Sequence, residues 1–197
     1  VKALTFMASR SIFLKRQSAA GNSAQRHHQA FYFDFDRSSS VDNSHDFGIT
    51  SGRPSSWNFP VYVEPNGLAV MFLQWSDKFG ESINDYDLFV DIYNANTLTY
   101  IETLGSAQEQ SGTQDPSEIT GFCNTNNEPV FGLFYVDKFS GFPRELELYA
   151  VTNQFSFVLD NVTTSDSIFG HPAVKDVLAV GAIDAADPGN NTRELFS

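Results

Sequence analysis

Cysteine and long apolar runs are both scarce in this 197-residue sequence. Cys123 is its one cysteine, which excludes an internal disulfide framework. Because a lone cysteine more often serves as a small hydrophobe than as a reactive thiol, we expect Cys123 to be buried. No apolar run approaches the roughly 18 residues of a membrane-spanning helix, so we predict no membrane span.

Basic side chains are also few. The sequence has 12 Lys and Arg against 24 Asp and Glu, a formal charge of −12, and residues 1–33 hold five of the basic residues and no acidic one. The remainder is therefore strongly acidic. Nucleic acids and anionic membranes bind basic surfaces, so the composition argues against both as partners. An acidic surface with little lysine is typical of exported or salt-adapted proteins, and we expect a secreted location.

The two ends lack the signals of a chain start and a chain end. The first stretch, VKALTFMASRSIFLKRQ, has no initiator methionine and no signal-peptide order of basic, apolar and small residues. The last stretch, RELFS, has no turn signal. We expect the sequence to be a piece of a longer protein.

Aromatic residues are abundant, with 19 Phe alone. From about residue 58 they occur in short segments of period two, separated by turn clusters such as EPNG and NTNNEP. This pattern predicts an antiparallel β-sandwich of jelly-roll type. The eight predicted strands are 58–63, 68–75, 87–93, 98–103, 118–123, 129–136, 144–151 and 155–160.

Two of these strands carry sharper predictions. RELELYAV (144–151) alternates cleanly, so Leu146, Leu148 and Ala150 are expected to point inward. LAVMFLQW (68–75) is nearly continuously apolar, which is typical of a central strand.

The segments before and after this region differ from it in composition and periodicity. Residues 1–17 show weak helical periodicity, and VLAVGAI (177–183) is a fully apolar strand after a turn around Gly170–Pro172. Such a strand beside small residues is typical of a sheet covered on both faces, as in α/β proteins. The fold class predicted is mixed, an antiparallel β-sandwich inserted into α/β material.

A run of small side chains, AAGN (19–22), precedes the aromatic region. Small residues let another backbone approach closely, and the Asn22 carboxamide can donate a hydrogen bond. A substrate strand could therefore lie beside it. The alternative is that Asn22 caps a turn or a helix.

Two blocks together resemble subtilisin-like serine peptidases (subtilases, peptidase family S8). AAGN is similar to the oxyanion-hole segment of that family, and GHPAVKDVLAVGAIDAA (170–186) with ELFS (194–197) is similar to a later stretch. Within the aromatic region, HDFG (45–48), QWSDKFG (74–80) and NDYDLFV (84–90) resemble a sandwich inserted in some bacterial subtilases.

The resemblance implies a domain organisation. Residues 1–30 and 165–197 would be pieces of a subtilase catalytic domain, and residues 31–164 the inserted β-sandwich. The sequence places 147 residues between Asn22 and Gly170. Because the two matching segments of simple subtilases line opposite sides of the specificity pocket, the insert would grow from the lip of that pocket.

The resemblance also implies site residues. Asn22 would be the oxyanion donor, which stabilises negative charge in the transition state of acyl transfer. The peptide bond between His171 and Pro172 is a candidate for the cis form, since the matching turn in relatives uses one. The implied substrate-binding residues are Ala19, Ala20, Gly21, Gly170, His171 and Pro172.

The catalytic triad of a subtilase is missing from these residues. No Gly-Thr-Ser-small stretch occurs, and the Asp-Gly and His-Gly-Thr blocks of the family are absent. We therefore expect the parent protein to be a secreted serine endopeptidase and this chain alone to be inactive. The histidines His27, His28 and His45 in polar loops, and His171 in a turn, are interpreted as ordinary surface or packing residues. A second departure is FLKRQS (13–18), where the family has an apolar strand, which indicates a divergent strand or a misread frame upstream.

No cofactor is required for this chemistry, and the expected partner is a peptide or protein substrate. Calcium is a further option, because Asp85 and Asp87, or Asp77, supply the hard oxygen ligands that Ca²⁺ prefers. The alternative is that these are solvated turn acids. The partner of the sandwich is open, and two other hypotheses remain: a stand-alone β-sandwich binding module, and a catalytically dead structural protein.

Overall fold

The computed structural model of the chain describes residues 16–19, 24–35, 43–48, 56–165, 167–168 and 177–181. The chain divides into two compact units. Unit 1 consists of residues 1–22 and 168–197, and unit 2 of residues 23–167. Unit 2 is therefore inserted in the sequence between the two segments of unit 1.

The described residues form strands and no helix. The strands are β1 (Arg16–Ala19), β2 (His27–Phe31), β3 (Phe59–Val63), β4 (Leu68–Trp75), β5 (Asp85–Asn94), β6 (Tyr100–Ser106), β7 (Ser117–Cys123), β8 (Val130–Ser140), β9 (Glu145–Thr152), β10 (Ser156–Val158) and β11 (Val177–Val180).

Unit 2 contains two antiparallel sheets, consistent with the predicted β-sandwich. One sheet has five strands in the order β10-β3-β8-β5-β6, and the other has four in the order β2-β9-β4-β7. All eight strands predicted between residues 58 and 160 are present, with ends that differ by up to four residues. β4 lies between β9 and β7, which confirms its predicted interior position.

The hydrophobic core of unit 2 is built from alternate residues of both sheets, because side chains in a strand point to opposite faces in turn. Trp75, Tyr86 and Phe134 are among its largest fully buried members. Leu146, Leu148 and Ala150 are buried as predicted. Trp75 and Tyr86 pack with ring centroids 5.2 Å apart, which joins the two sheets at one end.

The burial prediction for Cys123 is wrong, and strand alternation explains the error. Cys123 is exposed, because Glu118 and Thr120 of β7 are the buried residues and position 123 belongs to the opposite set. Phe72 in the nearly continuous apolar strand β4 is 44% exposed for the same reason. In both strands the period of two decides burial, rather than the residue type.

Unit 1 contains a two-stranded parallel sheet. β1 pairs with β11 in register from Arg16 opposite Val177 to Ala19 opposite Val180. The apolar strand predicted at 177–183 is therefore present over its first four residues. Leu178 and Val180 are about half exposed, so their side of this strand is not covered as we expected. The α/β character predicted for the flanks has no support in the described residues, which contain no helix there.

Candidate functional site

The structure describes the strand that leads into the predicted oxyanion segment. Ala19 is the last residue of β1 and pairs with Val180. The basic residues of FLKRQS that precede it do not prevent a strand, because Arg16 to Ser18 belong to β1. The other predicted site residues, namely Ala20, Gly21, Asn22, Gly170, His171 and Pro172, lie outside the described residues, as does the His171–Pro172 peptide bond.

Three histidines that we predicted in polar loops are buried in unit 2. His27 and His28 belong to strand β2, so the loop prediction is wrong for them, while their role in packing is confirmed. His45 is 1% exposed and packs against Phe47, with ring centroids 4.8 Å apart. The polar composition of HHQAF indicated a loop, but the segment is a strand that pairs with β9 over five residues.

Hydrogen bonds fix the protonation pattern of two of these histidines. The Phe33 N–H donates to His45 Nδ1 at 3.2 Å, and His28 Nδ1 donates to the Asn161 carbonyl oxygen at 2.6 Å. His45 Nε2 then donates to His28 Nε2 at 3.4 Å. Burial, and then the neighbouring histidine charge, lowers the pKa of His45 to about 3. Burial is also the main cause that lowers the pKa of His28 to about 4.

These histidines join the first strand of unit 2 to its last residues. His27 Nδ1 donates to the Thr163 carbonyl oxygen at 2.9 Å, and the Thr163 N–H donates back to the His27 carbonyl oxygen at 2.8 Å. The Gln29 N–H donates to the Thr163 hydroxyl at 2.7 Å. The two ends of unit 2 therefore lie side by side.

The outer face of the five-stranded sheet, opposite the core, carries a row of aromatic side chains. The strand register places one aromatic residue of every strand in this row. Neighbouring strands lie about 4.8 Å apart, so the row is roughly 19 Å long. We call it the aromatic row; it consists of Phe157, Tyr62, Phe131, Tyr93 and Tyr100.

Two pairs of neighbouring rings in the aromatic row contact each other edge to face. Tyr62 and Phe131 have centroids 5.6 Å apart at 61°, and Tyr93 and Tyr100 have centroids 5.6 Å apart at 71°. Tyr100 and Phe157 at its two ends are each just over half exposed. The row thus forms a ridged aromatic surface that remains open to solvent.

A second aromatic group lies four residues further along the same strands. Phe89 stacks on Tyr135 at 5.4 Å, and Trp57 contacts Tyr135 edge to face at 5.7 Å. The Phe89 ring lies over Gly105 of β6, where a Cβ atom would be 2.2 Å from Phe89 Cδ1. A side chain at position 105 would therefore have to displace this ring.

Polar groups separate the two aromatic groups. Asp91 lies opposite Thr103 in the register, and the Thr103 hydroxyl donates to Asp91 Oδ1. The Tyr100 and Thr103 hydroxyl oxygens are 2.9 Å apart. Burial, and then the charges of Asp91 and Asp137, raises the pKa of Tyr135 to about 12. The face is thus both aromatic and negatively charged.

Acidic residues cluster at one end of the same outer face. Asp87 of β5 lies directly opposite Asp137 of β8, and like charges in this position repel each other. Burial, followed by the charges of Asp85, Glu118 and Asp137, raises the pKa of Asp87 to about 6. A surface cavity of about 180 Å³ opens here; its lining residues are Asp85, Asp87, Ala107, Glu109 and Phe139.

Asp85 is the most buried acid of this cavity. It is 3% exposed, and its Oδ1 has no hydrogen-bond partner in the part of the chain that the structure describes. Burial raises the pKa of Asp85, and the charges of Glu109 and Glu118 add to this rise, although a backbone hydrogen bond from Gln110 opposes it. We call Asp85, Asp87, Glu109 and Asp137 the acidic end of the face.

Asp77, the third calcium candidate, has a structural role. Its Oδ1 accepts from Arg144 Nε at 2.6 Å and from Asn84 Nδ2 at 2.8 Å, and its Oδ2 accepts from the Ser82 hydroxyl. Burial alone would raise the pKa of Asp77, but the hydrogen bonds from Asn84, Arg144 and Ser82 outweigh it and lower the pKa to about 2. The carboxylate oxygens are thus already used by donors.

Neither a metal site nor a membrane span is found in the described ranges. No three His, Cys, Asp or Glu side chains within them are arranged to hold a metal ion. The calcium prediction therefore stays a prediction. The same ranges contain no helix with the length and apolar character needed to cross a membrane.

In comparisons with known proteins, no family model matches the sequence, and no curated protein is significantly similar to it.

The outer face of the five-stranded sheet is the site that motif reading missed. A signal for it exists in the sequence, because DLFVDIY and VFGLFYVDKF place aromatic residues at every fourth position on the face opposite the core, alternating there with Asp or Leu. Its assembly needs the register of five strands, which the sequence order does not show.

Proposed function

We propose that this chain is part of a secreted subtilisin-like serine endopeptidase in which residues 23–167 are an inserted module. The observation that carries the proposal is the parallel pairing of β1 with β11. Parallel neighbours need a long crossover connection, and here that connection runs through residues 20–176 and includes all of unit 2. The strand before AAGN and the apolar strand of the second motif block are thus neighbours in one sheet.

The direction of the two strands supports a site at the predicted position. Both run the same way, so their carboxyl ends at Ala19 and Val180 lie at the same edge. In α/β proteins, ligands bind outside the carboxyl ends of parallel strands. Asn22 follows Ala19 by three positions in the sequence, so the proposal assigns the oxyanion donor to the segment after this strand end.

The ends of unit 2 support its interpretation as an insert. Strand β2 and residues 161–163 are joined by hydrogen bonds through His27, His28 and Gln29. A module whose two ends lie side by side can be inserted in a surface loop with little disturbance of the host domain.

In the proposed mechanism, Asn22 stabilises the charge that develops on the substrate carbonyl oxygen. When a serine attacks this carbonyl, its oxygen becomes an oxyanion, and an N–H donor held in place binds the oxyanion more strongly than the ground-state carbonyl. The nucleophile, its general base and the orienting acid would come from sequence beyond the motifs present here. The 197 residues alone are then expected to show no peptidase activity.

The Asn22→Ala variant of the complete protein tests this proposal. We expect kcat on a fluorogenic peptide to fall roughly 100- to 1,000-fold, the range known for loss of one oxyanion donor in this kind of peptidase, with little change in KM. Asn96→Ala, in the exposed turn between β5 and β6, is the matched control and is expected to leave both constants unchanged. An unchanged kcat for Asn22→Ala would remove the residue from the mechanism.

A second candidate function is that of a binding module, and the aromatic row favours it. Five aromatic side chains in register on an open sheet face are more than the packing of the core requires. This function would hold whether or not the parent protein is a peptidase. Complete coding sequence without a Gly-Thr-Ser block would leave binding as the main role.

A further inference from the structure

We infer that the outer face of the five-stranded sheet binds a basic polypeptide segment in extended form, with Lys or Arg side chains at the acidic end and along the aromatic row. This inference rests on unit 2 alone and does not depend on the proposed peptidase function.

The charge of the face is the first support. Asp85, Asp87, Asp91 and Asp137 lie on it, and no Lys or Arg belongs to its described strand positions. The neighbouring Lys138 is turned away, with its Nζ 5.7 Å from the centroid of the Tyr32 ring. A basic ligand therefore meets complementary charge at the acidic end and at Asp91 beside the aromatic row.

The buried carboxylate is the second support. Asp85 is nearly inaccessible and lines the cavity, and its Oδ1 has no hydrogen-bond partner within the described ranges. Asp87 and Asp137 face each other across the β5–β8 ladder. Asp87 and Asp137 are half-buried and Asp137 accepts a hydrogen bond from the Ser44 hydroxyl, so Asp85 is the buried carboxylate to which a positively charged ligand adds a missing partner.

The composition of the cavity favours an organic cation over a metal ion. A calcium site needs six to eight oxygen ligands, whereas the described residues contain no group of three side chains placed to hold a metal. The cavity wall also includes Ala107 and the ring of Phe139, which is 71% exposed. The apolar stem of Lys or Arg packs on such a wall while its charged group reaches the carboxylates.

The aromatic row favours a polypeptide of defined length. Arg guanidinium groups stack on aromatic rings, so Tyr62, Tyr93 and Tyr100 offer further contacts beyond the acidic end. Asp87 and Tyr93 are six residues apart on β5, and a strand rises about 3.3 Å per residue, so an extended segment of about six residues reaches from the acidic end to the aromatic row. A neutral polysaccharide would use the rings, but it would leave the acidic end without a partner.

The test uses the 197-residue chain and fluorescein-labelled hexapeptides of alternating Arg and Ser, with Gln and Ser as the neutral control. We expect anisotropy to show binding of the Arg peptide at about 25 mM NaCl, at least roughly tenfold weaker binding at about 200 mM NaCl, and no binding of the Gln peptide. Binding that is insensitive to salt, or equal for the two peptides, would overturn the inference.

Variants locate the binding site. Asp85→Asn with Asp87→Asn is expected to weaken binding of the Arg peptide at least roughly tenfold, and Tyr100→Ala at least roughly threefold. Glu102→Gln, a charge change of the same type on the same edge strand as Tyr100, pairs opposite the inward-facing Ile92 and is expected to bind normally. If Glu102→Gln weakened binding of the Arg peptide as much as the two Asp substitutions do, net charge alone would attract the peptide. That result would refute a binding site on the outer face.

Thermal unfolding of each variant shows whether weaker binding reflects loss of a contact or loss of the folded structure. Because the two Asn substitutions remove repulsion, their thermal midpoint is expected to equal or exceed that of the wild-type chain. Tyr100 is half exposed, so Tyr100→Ala is expected to remain folded as well. Two results would contradict the choice of ligand: stabilisation by CaCl2 that depends on Asp85, and binding of a soluble neutral polysaccharide that depends on Tyr100 while the Arg peptide does not bind.

Discussion

Hydrogen bonds to backbone groups decide the charge state of His28 and His45. An amide N–H can only donate and a carbonyl oxygen can only accept, so His45 Nδ1 is an acceptor and His28 Nδ1 carries a proton. A proton added to His45 Nδ1 would face the Phe33 N–H, which can only donate. A proton added to His28 Nε2 would face the N–H of His45 Nε2 across the 3.4 Å contact, so two donors would meet there without an acceptor. Both rings are therefore held neutral by geometry as well as by burial.

This arrangement predicts that acid destabilises unit 2. The unfolded histidines titrate near 6.5, whereas the folded pKa values are about 4 for His28 and about 3 for His45. The unfolded state thus binds more protons between these values, so the free energy of unfolding is highest above pH 6.5 and falls as the pH decreases toward 4 and 3. The shift of His28 alone corresponds to about 3 kcal/mol. Urea unfolding at a series of pH values measures this dependence of the free energy of unfolding on pH.

Asp87 acts in the opposite direction and supplies the control. Its folded pKa is raised from 3.8 to about 6, so the folded state gains a proton first and stability from this group rises as the pH falls through 6. The pKa of Asp85 is raised as well, so the acid effect is measured in the variant that combines Asp85→Asn with Asp87→Asn, where the histidine contribution is separated from that of both carboxyls. His28→Gln is expected to lower stability at about pH 7.5 and to flatten the pH dependence. A chain with both Asn substitutions that is equally stable at about pH 7.5 and about pH 4.5 would contradict the assignment.

At the scale of elements, the β4–β7 pairing depends on a glycine. A Cβ atom at Gly121 would lie 2.5 Å from the Ala69 carbonyl oxygen and 2.7 Å from Val70 Cα. Both are backbone atoms of the neighbouring strand β4, so they cannot move aside without a change in the strand spacing. β7 is an edge strand of its sheet, which makes its displacement the easiest response.

Gly121→Ala is therefore expected to reduce the free energy of unfolding by roughly 1–3 kcal/mol, the usual range for overpacking. Ile119→Thr, at an exposed position of the same strand, is the control and is expected to change it by less than about 0.5 kcal/mol. Chemical denaturation followed by tryptophan fluorescence measures both, because Trp75 is buried in β4. Equal stability of Gly121→Ala and the wild-type chain would show that β7 adapts without cost.

At the scale of the whole molecule, the inserted unit has a core of its own. The buried cluster shared by the two antiparallel sheets lies between Tyr32 and Ala150, and residues 161–163 close the unit against β2. Nothing in this core is contributed by the described residues of unit 1.

Residues 23–167 expressed alone are therefore expected to unfold in one cooperative transition, with a thermal midpoint within a few degrees of that of unit 2 in the full chain. Calorimetry of both proteins provides the comparison. As a control, residues 32–160, which lack β2 and the residues hydrogen-bonded to it, are expected to lose several degrees of stability. Failure of 23–167 to unfold cooperatively would mean that unit 2 depends on its flanks.

Local pattern was enough to predict most strands of unit 2. RELELYAV and LAVMFLQW are recognisable as strands from the sequence, because period-two alternation and a content of β-branched or aromatic residues can be read from consecutive residues. β2 was missed because HHQAF is polar by composition, and its histidines are buried through bonds to residues 136 and 133 positions away. Cys123 was misjudged because a residue type sets an average burial, whereas the strand phase sets the actual one.

The sequence by itself determined the β-sandwich character of unit 2, the positions of eight of its nine strands and the acidity of its surface, since each follows from the residues at or beside a position. The tertiary structure alone decided which acids meet and which aromatics align. Asp87 faces Asp137, and five aromatic residues share one row, because strand order and register bring together side chains from distant parts of the chain. Parallel pairing of β1 with β11 is of the same kind, since its partners are separated by the whole of unit 2.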